Sequence, residues 1–176
     1  MKPIAKYFLK IFLIMGGTYS VFNLISDYFT DKDFSLFKIL FDLLFFGLFM
    51  ALLFTYFHKR ELRKRGISVF TDDNLNVKQL TEIISDLSIN DLIDKLKNDN
   101  NFKRMNIKKV DIGIIIDSGI KLTSWGEKIQ ITESKNENEK RILKISSKPK
   151  LKTTIVDYGQ NKENIDRIIE LIKNAA

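Results

Sequence analysis

Apolar positions fall along this chain in two regimes. Up to residue 57 they form two nearly unbroken runs, and beyond it they recur at intervals of two or of three and four. The first run, residues 11–29, reads IFLIMGGTYSVFNLISDYF, with Asp27 its only formal charge. The second, residues 39–57, reads ILFDLLFFGLFMALLFTYF and is apolar except for Asp42. A helix rises 1.5 Å per residue, so roughly 20 apolar residues cross a hydrocarbon core. Both runs meet that length, the first with help from Tyr7, Phe8 and Leu9, and they predict a transmembrane hairpin with helices over about 8–29 and 36–57. A cleaved signal peptide is the rival account of the first run. No small-x-small site follows it, and a second apolar run comes after a short connection, so both are read as permanent helices.

Residues 66–76 read as a linker and 77–176 as a small α+β domain. Val77, Leu80, Ile83, Ile84 and Leu87 recur at helical spacing and predict an amphipathic helix. Ser88 is placed to cap a second helix carrying Ile89, Leu92, Ile93 and Leu96, with Asp91 three residues on from the cap. Two short helices or one kinked helix fit equally. Strand patterns follow: residues 107–116, Ile120 with Leu122 after a turn at Gly119, Ile129 with Ile131, then 142–147 and, beyond Pro149, 153–158. Residues 132–139 are polar and predict a hairpin connection. Ile165, Ile168, Ile169 and Ile172 form the stripe of a closing helix, with Gly159 supplying a positive φ before it and Asn161 a cap. The expected fold is a two-helix transmembrane hairpin followed by helix or helices, about four antiparallel strands, and a C-terminal helix packed on one sheet face.

Charge changes the picture by where it sits. The net charge is +7. The first 65 residues carry ten Lys/Arg against five Asp/Glu, and the rest nineteen against seventeen. The excess flanks the apolar runs: Lys2, Lys6 and Lys10 precede the first, and Lys59, Arg60, Arg63, Lys64 and Arg65 follow the second, while the connector holds Asp31, Lys32 and Asp33. Under the positive-inside rule both termini, and hence the α+β domain, are expected in the cytoplasm. A chain rich in Lys, Ile, Asn and Asp looks like an AT-rich bacterial coding sequence, so the membrane is expected to be a bacterial inner membrane. Nucleic acid is not an expected partner, since the domain's own excess is small and no aromatic-studded basic stripe is present.

Candidate chemistry is sparse. There is no cysteine, which excludes disulfides, thiolate catalysis and cysteine-ligated metal centres within the chain. No phosphate loop, nucleophile elbow or His-Glu-x-x-His motif occurs, and no cofactor, metal or catalytic residue is expected. Within the hairpin, Gly16, Ser20, Asn23 and Asp27 form a narrow small-and-polar face, and Asn23 falls at the depth of Asp42, so these two are candidates for an intramembrane packing pair. In the domain, Lys144, Lys148, Lys150 and Lys152 share one strand face if no break intervenes, and with the single tryptophan, Trp125, they are candidates for a lipid or partner surface. The leading expectation is a membrane-anchored, non-catalytic interaction module whose partners are the bilayer and another protein. The alternatives are a lipid-headgroup-binding module and a small membrane enzyme using carboxylates and Tyr158.

Overall fold

The computed structural model describes residues 1–120, 124–135 and 140–174. The chain divides into two compact units, Met1–Leu75 and Asn76–Ala176.

The first unit is a helical hairpin of α1, Pro3–Phe29, and α2, Leu36–Lys64. Both helices are long and apolar enough to cross a bilayer. Each exceeds its expected length. Pro3 takes the first turn of α1, where its missing N–H is no loss. At the far end, α2 continues through the basic run, whose Lys, Arg, Glu and Leu are strong helix formers. It stops where Gly66 enters the left-handed region at φ +80°. Gly66 N–H bonds to the Arg63 carbonyl at 3.0 Å and Ile67 N–H to that of Leu62 at 3.1 Å, the two reversed bonds of a Schellman ending. The helices pack through small residues. A Cβ on Gly16 would stand 2.6 Å from the Leu43 carbonyl oxygen and 3.1 Å from Gly47 Cα, so two backbones meet where a side chain has no room. The outward faces stay uncovered: Phe22, Phe41, Phe45, Phe49 and Leu52 are all more than half exposed.

The second unit is a five-stranded antiparallel sheet with two helices on one face. Its strands are β1 (Gln79–Ile84), β2 (Asn106–Val110), β3 (Gly113–Asp117), β4 (Glu127–Lys135) and β5 (Arg141–Pro149), in the spatial order β1-β5-β4-β3-β2. Helices α3, Ile89–Asn98, and α4, Gln160–Lys173, cover one face. Leu92 and Leu96 of α3 and Ile165, Ile168 and Ile172 of α4 enclose a core with Ile114, Ile116, Ile129, Ile131, Leu143 and Ile145. Ser88 caps α3, its Oγ accepting from Asp91 N–H at 3.2 Å.

Several expected elements are corrected, and the sheet has five strands where about four are expected, because the apolar stretch 107–116 is a hairpin of β2 and β3 turning at Asp111 and Ile112. Residues 79–84 form strand β1 and not a helix. Its Gln79, Thr81 and Ile83 turn toward the helices while Leu80, Glu82 and Ile84 turn outward, so apolar side chains of both parities imitate a helical stripe. Pairing with β5, from Gln79↔Ser147 to Ile84↔Ile142, outweighs that local signal. Residues 153–158 form no strand: β5 already has β1 on one edge and β4 on the other, which leaves no vacancy, and the chain runs through a turn into α4. Ile120 lies in a loop, exposed, and Leu122 falls outside the described residues. The polar connection is shorter than expected, since β4 extends to Lys135; residues 136–139 lie outside the described residues.

Candidate functional site

The uncovered face of the sheet ends in a basic depression. Its floor follows from register. Lys128 of β4 lies opposite Lys148 of β5, and Lys78 immediately precedes Gln79, whose partner is Ser147, so three lysines stand side by side on adjacent strands. Like charges directly across a sheet repel. Pro149 then ends β5, and residues 150–152 turn over the row. The result is a depression of about 370 Å³ bordered by Lys78, Lys128, Lys148, Lys150 and Lys152, with Val77, Pro149, Leu151 and Thr154 between them. Among the described residues, Lys78, Lys128, Lys148 and Lys152 form no ion pair.

Lys150 is different. Its ammonium donates to the Ser118 carbonyl at 2.7 Å and lies 3.5 Å from Asp117, while its backbone N–H bonds to the Gly126 carbonyl at 2.9 Å. It fastens the turn onto the end of β3. Beneath it, the buried Glu127 carboxylate accepts from Ser118 Oγ at 2.5 Å and from Ser124 Oγ. Gly126, at φ +93°, brings the chain so close that a Cβ would lie 3.0 Å from the Ser118 carbonyl oxygen and 3.3 Å from the Lys150 side chain. Trp125, next in the chain, is two-thirds exposed beside this turn.

Of the expected lysines, the structure brings Lys148, Lys150 and Lys152 together and leaves Lys144 out. Lys144 is also on the open face but pairs with Glu82 at 3.1 Å. Lys78 and Lys128, absent from the sequence reading, complete the depression. Only strand pairing reveals them, since they stand 70 and 20 positions from Lys148 in the chain. Leu80 and Ile84 of β1 continue the open face, both more than half exposed.

The strand-to-helix corner is a buried polar network. Asp157 accepts from the N–H groups of Gly159 at 3.1 Å and Asn161 at 3.0 Å, so the carboxylate of Asp157, and not Asn161, caps α4. Asn161 instead accepts from Ser147 Oγ at 2.6 Å, tying α4 to β5. Tyr158 and Gly159 both adopt positive φ, +53° and +76°. Burial pushes the Tyr158 phenol above its ordinary value.

In the hairpin, the polar face of α1 meets α2 residue by residue. Ser20 Oγ donates to the Ile39 carbonyl at 3.3 Å, Asn23 Nδ2 to Asp42 Oδ2 at 2.8 Å, and Asp27 pairs with Lys38. Toward the other end, His58 is buried against Tyr7, their rings stacked at 4.9 Å.

No family model, curated protein or solved structure matches this chain. The chemistry of the depression is therefore read from its own residues. Clustered ammonium groups with apolar intervals suit an anionic ligand, and among the described residues no group of three or more His, Cys, Asp or Glu is placed to hold a metal ion.

Proposed function

We propose that this protein is a membrane-anchored, non-catalytic interaction module, an accessory or adaptor subunit whose soluble unit binds an acidic segment of a partner protein. The lysine depression carries this reading. Cations that stand side by side, with no ion pair among the described residues, are relieved by a ligand of opposite charge, and complementary charge steers encounter and fixes register. A protein segment suits the surface better than a headgroup, because the open face continues along β1 from Lys78 to the uncovered apolar Leu80, and the exposed Trp125 precedes Gly126, whose carbonyl holds the Lys150 turn. Tryptophan is enriched among the residues that anchor protein interfaces.

Anchoring is supported by the two apolar helices with uncovered outer faces. The basic excess at both outer ends of the hairpin supports cytoplasmic termini.

The test is site-specific photo-crosslinking from position 125 of the full-length protein in native membranes. The expected product is a discrete protein adduct whose contacting peptide is rich in Asp and Glu, lost in Lys128→Glu/Lys148→Glu. An adduct that survives the double variant, or crosslinks to lipid alone, contradicts the reading; lipid adducts lost in the double variant would favour headgroup binding instead.

A further inference from the structure

A second basic recess lies wholly within the helical hairpin, at the end where α2 leaves its apolar run. It has a volume of about 650 Å³. Along α2 its lining runs from Leu52, Thr55 and Tyr56 to Lys59, Arg60, Arg63 and Lys64, and Phe8 joins from α1. Phe8, Leu52 and Tyr56 form an apolar lower part, and Lys59, Arg60, Arg63 and Lys64 an upper cationic part. From Leu52 to Lys59 the helix climbs about 10 Å, the distance from acyl chain to headgroup. Lys59 and Arg63 are held over the Phe70 ring, at 5.5 and 5.8 Å from its centroid, and Lys64 donates to Glu61 at 2.7 Å, so three of the four cations are positioned by neighbours. Glu61 pairs with Lys64, and the lining residues of the recess carry four cations and no acid.

We propose that this recess binds one anionic glycerophospholipid of the cytoplasmic leaflet. Its phosphate lies among Arg60, Arg63, Lys59 and Lys64, and an acyl chain runs along Phe8, Leu52 and Tyr56. This rests on the membrane-anchored reading, which sets residues 39–57 across the hydrocarbon and brings 59–64 to headgroup level. Charge and polarity together select the ligand. A soluble phosphate leaves the apolar part empty, and a zwitterionic lipid presents an ammonium to a cationic wall. Arginine forks suit the phosphate oxygens, and basic recesses on the cytoplasmic side of membrane helices are suited to anionic headgroups.

The test is native mass spectrometry of the full-length protein in detergent, titrated with phosphatidylglycerol and with phosphatidylcholine. A phosphatidylglycerol adduct of one-to-one stoichiometry is expected. Each basic residue near an anionic headgroup contributes roughly fivefold, so Arg60→Gln/Arg63→Gln should weaken that adduct by roughly thirtyfold. Lys128→Gln/Lys148→Gln in the soluble unit should leave it unchanged. Equal retention of both lipids, or an adduct indifferent to the arginine pair, overturns the proposal, as does loss in the lysine pair alone. Inorganic phosphate binding as tightly as the lipid also overturns it, by showing that the apolar part contributes nothing. A chain that is fully soluble without detergent would instead remove the membrane reading beneath it, so the two failures are distinct.

Discussion

Asn23 of α1 donates from Nδ2 to Asp42 Oδ2 of α2 at 2.8 Å, a polar crossing that lies between the Gly16–Gly47 approach and the Asp27–Lys38 pair. Removing a hydrogen bond of this kind in an apolar setting costs about 0.5–2 kcal/mol. Asp42→Asn should therefore be mild and Asp42→Leu destabilising by that amount, read from thermal unfolding of the full-length protein in detergent. An asparagine variant as damaged as the leucine one would show that the charge, and not the hydrogen bond, matters.

Two adjacent glycines on α1 should behave oppositely. Gly16→Ala drives a methyl against the Leu43 carbonyl and Gly47, whereas a Cβ on Gly17 meets nothing within 4 Å. The first should cost about 1–3 kcal/mol by overpacking. The second should be neutral or slightly favourable, since alanine is the better helix former. The same unfolding measurement compares them, and equal effects would contradict the close crossing.

In the second unit, Ile168 is fully buried under the sheet and its truncation to alanine should cost about 2–5 kcal/mol. Lys148→Ala should be nearly silent, and relief of repulsion from Lys128 could only help. Lys150→Ala should fall between, because its ammonium ties the turn to the Ser118 carbonyl. Chemical denaturation of the detached unit from residue 76 onward checks all three. Indistinguishable midpoints would mean that α4 is not part of this core.

Asp157→Ala removes the carboxylate that accepts two N–H groups at the start of α4, a loss of about 1–2 kcal/mol. Asp157→Asn keeps one accepting oxygen and should recover part of it. Asn161→Ala should act differently, by removing the acceptor of Ser147 Oγ and the amide that donates to Asp157 Oδ2 while leaving the capping carboxylate in place. Amide exchange in the first turn of α4 separates the two, with fast exchange expected only in the Asp157 variants.

What was legible in the sequence was whatever is encoded locally. The apolar runs declare the long helices because the signal lies within each run. The polar face of Gly16, Ser20, Asn23 and Asp27 meets α2 because helical spacing alone sets it. Ser88 capped α3 for the same reason. Strand β1 was hidden because its partner, β5, lies far along the chain and its apolar side chains point both ways. The lysine depression was half legible. The even spacing of Lys144 and Lys148 holds on β5 as far as Pro149, but Lys78 and Lys128 join only through register, and Lys150 turns aside to an acceptor that no spacing rule announces.

The central claim is an anchored module with its soluble unit in the cytoplasm, and topology tests it most directly. A reporter active only in the cytoplasm, fused after Ala176, and one active only after export, inserted at Lys32, should both report activity, with full-length protein recovered only by detergent. An inactive cytoplasmic fusion together with an active exported fusion at the C-terminus, or full-length protein recovered in the soluble fraction, would contradict it.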